Sequence, residues 1–339
     1  MTKQTRYFMA GSAAVVVAGL GVGLIAFYSG GFPALSASTG PTELAYVPAD
    51  ATVVAYADVR GIMDSELRQR LKATLPIPET GQQEFQEKTG IDIERDIDYV
   101  VAAMTPNGTT KPAGLVVARG RFDNVKLESL VREHGGAVED YRGKRLLNVS
   151  AHDMHSDVNP DNISAPDPQR MMTMAFLEPG LVAVGEAVSV KHAIDAQMSA
   201  QSITTNEEMM NLVSEIERSN NAWVVGRFDV LASQAKLPDQ VALQIPSVKW
   251  FAAAGHINGG VVGTLRAEAR DEQAADNLRD IVRGFLALAR MQAQNDPKLN
   301  AFAQSLELTG TGKTVSLTFT VPTEILQLMG PKAEAVQQH

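Results

Sequence analysis

The chain has 339 residues, 45% of them apolar and 20% charged, with a formal charge of −9; it is long enough for two domains and too apolar for wholesale disorder. It has no cysteine, which excludes disulfides, thiolate metal sites, a cysteine nucleophile and a lipid-modified N-terminal cysteine. Lys3 and Arg6 are the only charges before Glu43, so the remainder is more acidic still, and that opposes nucleic-acid binding and docking of the body on anionic lipid.

The first predicted element is a transmembrane helix over 8–28, a stretch without a charged side chain. At ~1.5 Å per residue it covers about 31 Å, enough to cross the hydrocarbon layer. Tyr7, Phe8, Phe27 and Tyr28 stand at its ends, where interfacial aromatic belts form. Lys3 and Arg6 hold residues 1–7 in the cytoplasm by the positive-inside rule. The expected location is the inner membrane, single-pass, with the body in the periplasm or outside the cell. A cleaved signal peptide is the alternative. The apolar run exceeds the ~7–15 residues of a signal core, and the small-residue pattern at Ala34, Ser36 and Ala37 lies well past its end. Gly19 and Gly23, four apart, offer a close-packing face for a homodimer. Residues 29–42, rich in Gly, Ser, Ala and Pro, read as a linker.

Beyond the linker the pattern predicts an α+β body of two related units, 43–200 and 201–331, followed by a tail over 332–339. Each opens on a short β-type run ending in Asp-Val, at 51–59 and 222–230. Each continues with a hairpin: strands at 99–104 and 114–121 in the first, 249–256 and 261–270 in the second, the latter joined by Asn258-Gly259-Gly260. In the last strand Leu265, Ala267 and Ala269 alternate with Arg266, Glu268 and Arg270, so one face is covered and the other wet. A helix follows each hairpin. Leu127, Leu130, Val131 and His134 mark the first, stopped by Gly135-Gly136. Leu278, Ile281, Val282, Phe285, Leu288 and Ala289 mark the second, with Asp271 as its N-cap.

Further strands are expected at 144–149, 172–177, 181–185 and 313–321, and helices at 189–198 and 206–219. Thr205 with Glu208 predicts a capping box for the latter, and Met209, Leu212, Val213 and Ile216 its buried stripe. This order suits mainly antiparallel sheet with helices packed on one face, as ferredoxin-like repeats. The alternative is one large half-barrel-like sheet with covering helices.

The candidate site is the loop 152–167, which holds His152, Asp153, His155, Asp157, Asn159, Asp161 and Asp167. Imidazole and carboxylate together can hold Zn²⁺, and clustered oxygens Ca²⁺; His152, His155, Asp157 and Asp161 are the metal candidates. The calcium-loop pattern fails at Asn162 and Pro168. A solvated loop punctuated by Pro160, Pro166 and Pro168 is the blander account. Gly310-Thr311-Gly312-Lys313-Thr314 resembles the end of a phosphate-binding loop, but Glu307 replaces its first glycine and a strand follows; a tight turn fits better. Neither Gly-x-Ser-x-Gly nor His-Glu-x-x-His occurs. No cofactor is expected beyond a divalent metal at that loop. The methionines, among them Met154, Met171, Met172, Met174, Met209 and Met210, read as core packing. The sequons at Asn107, Asn148 and Asn162 are near chance frequency.

Val47-Pro48-Ala49-Asp50-Ala51, a Val-rich strand, then Thr89-Gly90-Ile91-Asp92 with Asp96-Ile97 resemble uncharacterised bacterial envelope proteins of a domain-of-unknown-function type. The likeness covers mainly 44–104. It implies export and a repeated α+β body; it implies no activity and carries over no residue. The expected function is a non-catalytic, membrane-tethered extracytoplasmic binding or scaffolding protein with an envelope partner. A carrier of a hydrophobic ligand or lipid and a metal-dependent hydrolase are the alternatives.

Overall fold

Short runs of Val, Ala and Leu with alternating burial form the strands, and the segments between them that keep helical spacing form helices. The computed structural model describes residues 41–74, 86–87, 89–106, 112–133, 135–150, 171–216, 219–228, 230, 248–294, 296–322 and 325. The expected anchor over 8–28 with its Gly19/Gly23 face, the linker up to residue 40 and the tail lie outside these residues. Among the described residues no helix is long and apolar enough to cross a membrane.

The protein is mixed α+β with antiparallel sheet. It divides into two compact units, the first from 33–60 and 82–217, the second from 61–81 and 218–339. One of its boundaries falls at 217/218, so the helix carrying Met209 belongs with the first unit.

In the first unit β1 (Val53–Asp58), β2 (Ile97–Thr105), β3 (Ala113–Gly120), β4 (Ala137–Tyr141), β5 (Lys144–Ser150), β6 (Met171–Glu178) and β7 (Leu181–Glu186) make antiparallel sheet in the order β1-β2-β3-β7-β6-β5-β4. After β1 the short α1 (Val59–Met63) leads the chain into α2 (Glu66–Thr74) of the second unit, and α3 (Ile93–Asp96) enters β2. Gly120 is required where β3 ends: a Cβ there would collide with the Asp96 carbonyl and approach Ile97 Cα to 2.9 Å.

Helices cover both faces of this sheet, a correction to the one-face expectation. Leu127 and Val131 of α4 (Asn124–Glu133) pack on Val138, Leu147, Met174 and Phe176. Glu139 and Tyr141, on the opposite side of β4 from Val138, bond instead to Lys191 and Asp195 of α5 (Ala187–Ser199). The helix after that, α6 (Glu207–Ser214), is shorter than its expected 206–219. Met209, Leu212 and Val213 are its buried stripe. Its N-cap is Asn206, whose side chain accepts from Met209 N at 3.1 Å. The expected cap, Thr205, instead donates its hydroxyl to Ser202 O at 2.8 Å within a 3-10 turn.

The second unit has β8 (Ala222–Arg227), β9 (Val248–Ile257), β10 (Gly260–Ala269), β11 (Glu307–Thr309) and β12 (Thr314–Pro322) in the order β8-β9-β10-β12-β11, again antiparallel. Helix α7 (Glu272–Ala293) is capped as expected by Asp271, which accepts from Ala274 N at 2.7 Å. Its core stripe differs from the expected one. Ala275, Leu278, Val282 and Leu286 face the core with Val261, Val315, Phe319 and Val321, whereas Phe285 and Leu288 are exposed. Apolar residues occupy more than half of this helix's circumference, and the side nearer the 275-278-282-286 row meets the sheet. Helix α8 (Pro297–Ser305) follows; its first turn closes on Asp296, which accepts from Leu299 N at 3.3 Å. Residues 310–314 make the tight turn into β12, with Gly310 at φ 100° and Gly312 at φ 56°.

Candidate functional site

The metal candidates His152, His155, Asp157 and Asp161 lie outside the described residues. Among the described ones, no group of three His, Asp or Glu side chains is placed to hold a metal ion. Of the other histidines, His192 is an exposed residue of α5 and His256 sets Nδ1 2.7 Å from Ser219 O on the surface. Asn148 spends its side-chain oxygen on Thr173 Oγ1 at 2.6 Å. Met209 is fully buried and Met174 packs against the α4 core.

Among the described residues a buried polar assembly lies in the first unit, across the strands of its sheet. The strand register sets Asp58, Tyr99, Arg119, Leu181 and Glu178 in a row across β1, β2, β3, β7 and β6. A 3-10 turn, Thr42–Tyr46, joins this row. Glu43, only 1% exposed, receives Arg119 Nε at 2.5 Å. Arg119 Nη2 also lies 3.9 Å from Glu178 Oε2. Tyr46 donates its hydroxyl to Glu178 Oε1 at 2.7 Å. One guanidinium thus serves two carboxylates, and Asp58, two strands away in the same row, is 6% exposed.

The phenols beside these charges stay neutral. Burial first, then the hydrogen bond to Glu178, pushes Tyr46 well above its ordinary value of 10.0. Burial does the same for Tyr56, helped by Asp58, Tyr99 and Glu43. Tyr46 therefore acts as a donor to Glu178, and neither phenol acts as a base near neutral pH.

The turn continues into a strap that the same unit holds along its length. Leu44 and Val47 are buried, Ile203 N donates to Val47 O at 2.7 Å, Pro48 bridges Ser202, and Asn206 Nδ2 donates to Ala49 O at 3.2 Å. Nothing in the sequence marked this assembly. Tyr46 and Glu178 are 132 residues apart, and the sole hint is that Glu43 is the first acidic residue of the chain.

Two clefts lie elsewhere on the surface. One, of about 470 Å³, opens at the start of α4. Its polar groups are already engaged: Asp123 caps the helix through Lys126 N at 3.0 Å, Asp96 accepts from Asp92 N at 2.9 Å, and Arg121 bonds to the Arg95 carbonyl. The Lys126 ammonium lies against Gly90, where the chain leaves a helical turn by a bond from Gly90 N to Gln86 O, so it complements the carbonyl end of that turn. The other, of about 640 Å³, lies in the second unit beside β11. Its Arg290 closes the last turn of α8 through Leu306 O at 3.0 Å, and Ser305 Oγ fills the free edge of β12 by accepting from Thr320 N at 3.1 Å.

A surface cluster surrounds the β4–β5 turn. Arg142 and Gly143 both have positive φ, 50° and 76°, the mirror-image turn that suits a two-residue hairpin. Arg142 Nε pairs with Asp195 at 2.7 Å and Tyr141 donates to the same carboxylate at 2.9 Å. The hydrogen bond from Lys191 holds Glu139 below the usual carboxylate range.

No family model matches the chain, and no curated protein matches it. A solved structure, that of TP0453 in crystal form I, is similar at 11% identity and a TM-score of 0.48, covering 86% of this chain and 97% of that one.

Proposed function

We propose that this chain is a membrane-tethered, extracytoplasmic binding or scaffolding module of the bacterial envelope. The observation that carries the reading is the uncharged run over 8–28, which water solvates poorly and which exports the chain on its C-terminal side. The strap supports it: within a few residues of the linker the chain is locked into the first unit by Glu43, Leu44 and Tyr46. A body held near a surface meets membrane partners at raised effective concentration, so modest affinity suffices. The likeness of 44–104 to exported envelope proteins agrees with this location.

We read the two units as copies of one plan. β1, the β2–β3 hairpin and α4 correspond in order to β8, the β9–β10 hairpin and α7. A carrier of apolar ligands calls for an enclosed apolar cavity; the two clefts described above are edged by Arg121 and Lys126 or by Arg283 and Arg290. The metal-dependent alternative rests on His152, His155, Asp157 and Asp161, and elemental analysis of the purified protein tests it.

The decisive experiment is topological. A phosphatase that matures only outside the cytoplasm, fused at the C-terminus, is expected to be active and to stay with the membrane through an alkaline wash. A fluorescent protein that lights up only inside is expected to stay dark. A bright cytoplasmic fusion overturns the proposal. For the binding role, crosslinking is expected to yield a defined partner with the full chain and much less when 1–40 is exchanged for a cleavable signal. Equal yields would remove the tether from the argument.

A further inference from the structure

We propose that residues 42–49 are a latch that opens as a unit ahead of the sheet they lie on, with the Glu43–Arg119 pair as its pin. The inference stands on the fold of the first unit and needs no membrane.

Three features of the strap carry it. It is a single pass of chain outside the sheet ladder: among the described residues, apart from the Pro48–Ser202 bridge, its backbone bonds reach itself, the adjoining Pro41 and Ala51, and the 203–206 segment, as in Val47 N to Leu44 O at 3.1 Å and Ile203 N to Val47 O at 2.7 Å. Elements outside the ladder can open without breaking it, as locally cooperative units. Second, its side chains sit like those of a bound peptide. Glu43, Leu44, Tyr46 and Val47 are each at most 5% exposed, whereas Thr42 and Ala45 are less buried. Third, it comes before β1 in chain order, so any pull from the N-terminal side reaches Thr42 before it reaches β1.

The pin is electrostatic. A buried ion pair adds little net stability compared with apolar groups of the same volume, yet breaking one side of it is costly. Such a pair suits a latch: closed, it fixes Leu44 and Tyr46 in register; opened, Glu43 regains the water that Arg119 already meets at 30% side-chain exposure. Opening frees the 203–205 turn and the face of α5 that the strap covers, and releases Glu178 from Tyr46. That uncovered face is what an incoming segment with the strap's own chemistry, a carboxylate followed by apolar and aromatic residues, would occupy.

Hydrogen exchange on the full chain in detergent tests this, read at the amides of Leu44, Val47, Ala51 and Ile203 against those of β2 and β3. In the native protein the strap amides are expected to exchange before the sheet. Glu43→Gln is expected to speed them about 10–100-fold, with the amides of β2 and β3 still exchanging after the strap, and the double variant Glu43→Met with Arg119→Met is expected to restore protection. A labelled peptide with the sequence of residues 41–50 is expected to bind Glu43→Gln and not the native chain. Strap amides exchanging only together with the sheet would overturn the proposal. So would strap and sheet amides exchanging together in Glu43→Gln, a double variant as open as the single one, or a peptide that binds neither protein.

Discussion

Asn221 completes the sheet of the second unit from outside it. The residue precedes β8 and is 6% exposed. Its side-chain oxygen accepts from Ile257 N at 2.9 Å and its amide donates to Ile257 O at 2.8 Å. A side chain thus supplies the pair of bonds that one more ladder residue would have made. In Asn221→Ala both are lost. At a net ~0.5–1.5 kcal/mol each, the expected loss is about 1–3 kcal/mol, toward the upper end because Ile257 is half-buried and its amide solvates poorly. Asn221→Asp keeps the acceptor, loses the donor and faces a carboxylate with the Ile257 carbonyl, so it is expected to cost at least as much. Both tryptophans of the chain, Trp223 and Trp250, sit on β8 and β9. Urea unfolding followed by tryptophan fluorescence therefore reads this unit selectively. An Asn221→Ala midpoint corresponding to a change within about 0.5 kcal/mol, the range of an ordinary surface substitution, would refute the reasoning.

Asp271→Ala removes the carboxylate that closes the first turn of α7 through Ala274 N; a loss of about 1 kcal/mol is expected in the same fluorescence assay, and Asp271→Asn is expected to recover most of it. Tyr46 and Tyr56 bear on alkaline stability. Both folded-state values lie above the ordinary 10.0, so above about pH 10 the unfolded chain releases protons that the folded chain keeps. Stability is then unaffected below that pH and falls as pH rises through and beyond it. Ultraviolet titration is expected to show two phenols ionising only together with the loss of structure; free ionisation of every tyrosine before unfolding would contradict the burial argument.

Local signals were readable where chemistry acts between neighbours. Asp271, the Met209 stripe, the Asn258-Gly259 hairpin and the glycine turn at 310–312 all depend on residues within a few positions. β4 escaped for the opposite reason. It is a largely exposed edge strand, Ala137–Tyr141, with Glu139 and Asp140 in place of an apolar alternation, and its turn uses Arg142-Gly143 where Asn-Gly would have announced a hairpin. The start of α8 did carry a signal, Asp296 before Pro297, a cap followed by the residue that favours the first helical position. The face that α7 buries was not readable, because Phe285 and Leu288 are as apolar as Val282 and Leu286; the sheet decides between them. The polar row was the least accessible. Its members are ordinary residues on five strands and a turn, and only the register of the sheet brings them together.

That row has an asymmetry that its charges make testable. Glu43 and Glu178 both meet Arg119, and the phenols of Tyr46 and Tyr56 contribute no charge near neutral pH. Glu43→Gln leaves the guanidinium a second carboxylate, Glu178, and an opening to water at 30% side-chain exposure, so about 1–2 kcal/mol is expected, below the ~3–5 kcal/mol of an orphaned buried charge. Arg119→Met is different. It strips Glu43, at 1% exposure, of the guanidinium that balances its charge and leaves it the hydroxyl of Thr42, and the full ~3–5 kcal/mol is expected. Adding Glu43→Met to Arg119→Met should recover most of that loss, because the charge left stranded is itself removed. The tyrosines of the body, Tyr46, Tyr56, Tyr99 and Tyr141, all lie in the first unit, so near-ultraviolet circular dichroism in their band follows its unfolding in urea. If Arg119→Met proves no more damaging than Glu43→Gln, the guanidinium is not what makes a carboxylate at position 43 tolerable, and the electrostatic account of the strap fails with it.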